Sequence, residues 1–259
     1  MAMLKIQDVH KTFKPGTINE KKALNGVNLV LNEGDFVTVI GGNGAGKSTV
    51  LNMIAGVYPV DSGSIMIDDI DVTKLPEHKR AKYLGRVFQD PMNGTAADMN
   101  IEENLALAAR RGKQRFLGWG ITAKEREEYK ERLGSLGLGL EDRMTSKVGL
   151  LSGGQRQALA LIMATLQPIE FLILDEHTAA LDPKTAEIIM ELTDQIVREK
   201  KVTTIMVTHN LRYAVEYGNR LLMMHQGSVI LDKDSEEKNA ISVDDILGVF
   251  NEISIECGN

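Results

Sequence analysis

The chain has 259 residues, 43% of them hydrophobic and 25% charged, a composition that supports one large folded domain and excludes a disordered protein. Its net charge of -6 argues against a nucleic-acid partner, because backbone phosphates are gripped mainly by clustered Lys and Arg. One cysteine, Cys257, rules out an intrachain disulfide, and no apolar run approaches the ~20 residues that a membrane helix needs. The basic run Arg110-Arg111-Gly112-Lys113-Gln114-Arg115 reads as a solvated loop, and the first residues carry no apolar block of the secretory-leader kind.

In chain order, Leu4–Val9 and Leu29–Leu31 read as strands, with the turn-rich Lys14-Pro15-Gly16-Thr17 between them. Phe36–Ile40 is a short β run that ends in a glycine-rich loop. Ser48–Ala55 follows as a helix with Val50, Leu51 and Ile54 on one face, closed by Gly56 as a left-handed cap. Ser64–Ile67 is a further strand. From 95 to 150 strand signals give way to helical ones, at Ile101–Arg111 and Ala123–Leu133, and this segment reads as an inserted helical lobe. Strand and helix then alternate again. Phe171–Leu174 is a buried strand, and Asp182-Pro183 caps a helix carrying Ile188, Ile189, Leu192 and Ile196. Val202–Val207 and Leu221–Met224 are strands. The segment beyond Asp232 is acidic and gives no clear pattern. The alternation predicts a parallel α/β sheet, with a core from 1–94 and 151–259 around the 95–150 lobe.

Gly41-Gly42-Asn43-Gly44-Ala45-Gly46-Lys47-Ser48 matches the phosphate-loop pattern GxxxxGKS, between a strand and a helix. Its glycines let backbone N–H groups curl around phosphates, and the helix points its positive end at them. Lys47 can reach the β and γ phosphates, Ser48 can ligate Mg²⁺, and Thr49 counts with them as nucleotide-binding. A plain glycine turn is the competing reading, and the strand-loop-helix context disfavours it. Phe171–Leu174 then ends in Asp175-Glu176. A carboxylate at such a strand end holds Mg²⁺ in phosphate-loop enzymes, here Asp175, and Glu176 is placed to activate water. Leu151-Ser152-Gly153-Gly154-Gln155 reads as a second helix start capped by Ser152.

With these three motifs the chain resembles the ABC ATPases, from Leu4 to about Leu231. The resemblance implies a P-loop NTPase core with an antiparallel β subdomain and an inserted α-helical subdomain. It implies that Ser152, Gly153, Gly154 and Gln155 cap the γ-phosphate held by a second copy, so that two ATP molecules are sandwiched in a head-to-tail dimer. It makes Gln89 the Q-loop glutamine that senses Mg²⁺ and links to the permease, His209 the switch histidine, and Ala179-Ala180-Leu181-Asp182 the D-loop. Phe13 is expected to stack on adenine, against the alternative of a core or turn aromatic, with an added stretch Thr17–Lys22 between it and the phosphate loop.

One expectation is independent of family. The phosphate loop, Gln89, Asp175 and His209 each follow a β run, and ligands of open α/β sheets bind beyond the carboxyl ends of the strands. His177 departs from the family pattern, which has proline after the catalytic Glu. It reads as a tolerated replacement, against a turn tuned by the imidazole. Glu176–Asp182 is similar to one subgroup of bacterial importer ATPases, paired with an extracellular binding protein and a branched-chain amino acid or sugar-type permease. Some members of that subgroup are associated with aromatic amino acids. The implied protein is a peripheral motor on the cytoplasmic face of the membrane, hydrolysing ATP with Mg²⁺. The rivals are an exporter motor, a non-transport ABC ATPase of DNA repair or translation, and an ATP-binding scaffold without turnover, the last disfavoured because Glu176 and His209 are both present. The second of these is disfavoured because the insert is short and the motifs occur once.

Overall fold

The structure, a computed structural model, describes residues 2–113 and 120–256; Gln114 and Arg115 of the basic run and Cys257 lie outside them. The first half contains β1 (Ala2–Phe13), β2 (Lys21–Asn32), β3 (Phe36–Gly41), α1 (Lys47–Ala55), β4 (Ser62–Ile67), β5 (Ile70–Asp71), α2 (Glu77–Arg80) and β6 (Leu84–Val87). Two longer helices follow, α3 (Ile101–Ala109) and α4 (Ala123–Gly134), each opened by a capping box, from Asn100 with Glu103 and from Thr122 with Glu125. Then come α5 (Gly153–Thr165), β7 (Phe171–Asp175), α6 (Pro183–Lys200), β8 (Thr203–Val207), α7 (Leu211–Glu216), β9 (Arg220–His225) and β10 (Ser228–Lys233). The acidic tail, unreadable from sequence, forms α8 (Ser235–Ala240) and α9 (Val243–Glu256), and Ile246 of α9 is fully buried.

The strands divide between two sheets. β2-β1-β4-β5 is antiparallel, and β10-β9-β3-β8-β7-β6 is parallel except for its β10 edge. Every residue of β3 is buried, as expected for a central strand covered on both faces. Between the sheets, Leu4, Ile6 and Leu31 share a core with α1 residues Leu51 and Ile54. On the other face of the parallel sheet, Leu159 and Leu161 of α5 pack with Leu174, Met190 and Met206. Ile101, Leu105, Tyr129 and Leu133 of α3 and α4 belong to that same cluster.

Three local expectations change. Leu29–Leu31 is the tail of a 12-residue strand, because β2 begins at Lys21 and pairs with β1 as far as Phe13. The strand expected at Ser64–Ile67 begins two residues earlier, at Ser62, opposite an irregularity of β1 near Asp8. Ile188 is 40% exposed, since the buried stripe of α6 runs through Ala186, Ile189, Met190, Thr193, Ile196 and Val197. Asp182 does cap α6, accepting from Thr185 N at 3.1 Å, with Pro183 in the first turn. Gly56 closes α1 in the left-handed region, as predicted.

Candidate active site

β3, β6, β7 and β8 run parallel, with Val39 beside Val207, Val87 beside Leu174 and Asp175 beside Val207. Four chain segments therefore leave one sheet edge together: loop 41–46, Phe88-Gln89, Glu176 and Thr208-His209. The geometric expectation from sequence holds.

At that edge lies a cleft of ≈ 250 Å³ lined by Phe13, Asn43, Gly44, Ala45, Gly46, Lys47, Ser48, Thr49, Glu176 and His209. Lys21 and Ala23 complete the lining, and the sequence reading does not anticipate either. The signal lay in the length of β2: a strand running to Lys21 sets that residue directly opposite Phe13. Gly46 has φ 104, and a Cβ there would stand 2.8 Å from Ala23 O and 2.9 Å from Leu24 Cδ2. Only glycine lets the loop pass so close under β2 while it turns into α1.

Lys47 is buried and donates from Nζ to Gly41 O (2.8 Å) and Gly42 O (3.1 Å). Desolvation lowers its pKa, and the charges of Glu176 and Asp175 pull it back upward. Gly41 and Gly42 thus hold the lysine from behind and do not line the cleft. Glu176 sits at φ 49, a left-handed conformation uncommon for a carboxylate side chain, and its N–H donates to Val207 O at 3.0 Å. Its Oε1 lies 2.7 Å from His209 Nε2, so the imidazole donates to the carboxylate.

The remaining site candidates lie outside the cleft lining. Asp175 Oδ2 accepts from Arg86 Nη2 at 3.1 Å, and the Arg86 guanidinium also stacks 4.5 Å from the Phe88 ring. Gln89 is exposed. Ser152, Gly153, Gly154 and Gln155 form the capped start of α5, with the Ser152 hydroxyl accepting from Gln155 N, and none of them lines this cleft. A Cβ on Gly154 would meet Thr185 Cγ2 at 2.3 Å, so glycine is what seats α5 against α6. Gln157 of α5 donates to Phe88 O at 3.2 Å, tying that helix to the loop that carries Gln89.

His177 is buried, with Nε2 3.0 Å from Thr193 Oγ1. The Thr193 hydroxyl proton goes to Ile189 O at 2.7 Å. His177 must therefore donate its Nε2–H into α6, and burial, which lowers its pKa, keeps the ring neutral.

The family model for the ABC transporter matches residues 24–179, the stretch from β2 past Glu176 that holds all three motifs. This chain belongs to the ABC transporter family. The tyrosine transport ATP-binding protein of Clostridioides difficile is 46% identical to this ABC subunit, over 96% of the chain and 98% of that protein. The xylose/arabinose import ATP-binding protein of Sulfolobus acidocaldarius is 33% identical, over 96% and 94% respectively. Among solved structures, the ADP conformation of the cassette MJ1267 superposes with a TM-score of 0.78 at 26% identity, covering 100% of both chains. The dimeric post-hydrolysis state of the cassette MJ0796, bound to ADP and Pi, gives 0.77 at 31% identity, over 90% of this chain and 99% of that one. The fold is thus the P-loop NTPase type, and the ABC subunit is an ATP-binding protein that hydrolyses ATP in transport. Among the described residues no helix is long and apolar enough to cross a membrane.

The cleft fits a nucleotide. A buried lysine, the glycine loop and the N-terminal end of α1 line it together with Phe13, whose ring packs edge-on against Tyr58 at 5.2 Å. The Ser48 hydroxyl in the lining and the Asp175 carboxylate, whose charge acts on Lys47, are oxygen donors that suit a hard cation keeping part of its water shell.

Proposed function

We propose that this ABC subunit powers an importer of amino acids, with aromatic amino acids as the substrate class. Two copies pair head to tail around two ATP molecules and act on separate permease subunits fed by an extracellular binding protein. The observation that carries the catalytic reading is the 2.7 Å contact between His209 and Glu176, inside the cleft that Lys47 and Ser48 line. Glu176 orients water and takes its proton, and His209 holds that carboxylate and reaches toward the γ-phosphate. Lys47 meets the charge that develops on the transferred phosphoryl group. Ser48, Asp175 and Gln89 would hold Mg²⁺, which would supply positive charge to offset that of the phosphates. Each of these steps leaves Ser152–Gln155 without a phosphate of its own, and the second copy's nucleotide supplies one.

The permease reading draws on a groove of ≈ 420 Å³ between core and helical lobe, bordered by Leu84, Arg86, Phe88, Leu107, Arg111 and Met163. Because β6 lines it and leads into Gln89, a segment docked there would bear on the loop next to the cleft. On this reading the subunit works at the cytoplasmic face of the membrane. The substrate class draws on the 46% identical tyrosine transport relative. Uptake of labelled tyrosine by cells with and without this chain tests it: uptake that depends on the chain supports the reading, and equal uptake contradicts it.

A further inference from the structure

The hairpin of β1 and β2 sets Phe13 and Lys21 opposite each other, and both line the nucleotide cleft. Lys21 stands at the exposed start of β2, in the added stretch that separates Phe13 from the phosphate loop. Its ammonium reaches back over that loop, 3.4 Å from where a Cβ on Gly44 would be. Lys47, by contrast, is buried beneath the loop with its Nζ on the Gly41 and Gly42 carbonyls. The two lysines approach one phosphate-binding loop differently, Lys47 from its interior and Lys21 from its solvent rim.

A polyphosphate seated on the loop carries several negative charges, and its amide cradle neutralises them only in part. A cation at the solvent rim of the loop adds positive potential there that the buried ammonium of Lys47 does not supply. We propose that Lys21 is a further nucleotide-binding residue, contacting the polyphosphate chain of ATP from the solvent side of the phosphate loop. The proposal rests on ATP occupying this cleft. It assigns a role to the added stretch Thr17–Lys22, which the rest of the site does not use: the longer hairpin carries a cation to the loop.

Because Lys21 is exposed, its contact is screened by salt and modest in size. The test is a titration of fluorescently labelled ATP into wild type, Lys21→Met and Lys21→Arg, at roughly 50 mM and roughly 0.5 M salt. Methionine keeps the length and strand pairing of the side chain and removes only its charge. The expected result is about 5-fold weaker binding for Lys21→Met at low salt, converging on wild type at high salt, with Lys21→Arg within about 2-fold throughout. Wild-type affinity in Lys21→Met at low salt would overturn the proposal. So would a loss that salt does not relieve, which would mark a disturbed hairpin instead. Failure of wild type to bind at all would strike the ATP reading itself, and this proposal with it.

Discussion

The imidazole of His177 donates to the hydroxyl of Thr193, sixteen residues on, so the turn after Glu176 is pinned to the third turn of α6 by a buried hydrogen bond. Where the resembling family has proline, a residue that stiffens the backbone directly, this chain anchors the turn through its side chain. The imidazole faces α6 rather than the Glu176 carboxylate, whose partner is His209.

Burial lowers the His177 pKa from 6.5 to about 4. Between those values the unfolded chain binds a proton that the folded chain refuses. The folded state is therefore fully favoured above pH 6.5 and loses stability as pH falls toward 4, by up to about 3 kcal/mol. His177→Pro should flatten that acid limb in denaturant titrations across pH 4–6.5. Its turnover profile from pH 6 to 8 should keep the wild-type shape, because the imidazole is already neutral there. A profile that changes shape in that range would show electrostatic coupling to Glu176.

Arg86 and Asp175 form an ion pair whose side chains are 11% and 16% exposed. The Arg86 Nε is buried with no hydrogen-bond partner among the described residues, so the pair holds the guanidinium by one edge only. Arg86→Met strands the carboxylate and should cost about 2–4 kcal/mol in chemical denaturation. The double variant Arg86→Met with Asp175→Asn should recover much of that loss, since no charge is left behind. Additive losses would mean that the two groups do not interact in solution.

Much of this site is legible in sequence because its geometry is local. The ends of β3, β7 and β8 are marked by apolar runs that stop at Gly41, Asp175 and Val207, and parallel pairing does the rest. The caps at Ser152 and Asp182 are equally local, each a side chain bonding three residues ahead. What is not legible depends on distant partners or mixed exposure. Arg86 meets Asp175 across 89 positions, and His177 meets a helix that no pattern connects to it. β10 is an edge strand with partly exposed residues throughout, and α9 buries Ile246 within an otherwise acidic start, so neither shows a clean period.

Met92 stands 40% exposed in the 3-10 turn Pro91–Gly94 that Asp90 caps, just after Gln89, where a docked permease segment would meet it. Met92→Asp should lower substrate uptake at least several-fold while basal ATP hydrolysis by the isolated subunit stays near wild type. No nucleotide contact is lost, because the residue lies outside the cleft. If the variant instead stops binding nucleotide, the turn belongs to the ATP site and not to a docking surface.

In the function proposed above, Glu176 activates water and Ser152 is a phosphate ligand for a second copy. Glu176→Gln would remove the proposed base and leave the proposed phosphate contacts of Lys47 and Ser152 intact, so ATP should bind without being consumed and hold two copies together. Size-exclusion chromatography in saturating Mg-ATP measures this directly. The predicted result is a stable dimer peak for Glu176→Gln that disappears without nucleotide. A variant that stays monomeric under saturating ATP, while wild type dimerises detectably, would contradict it.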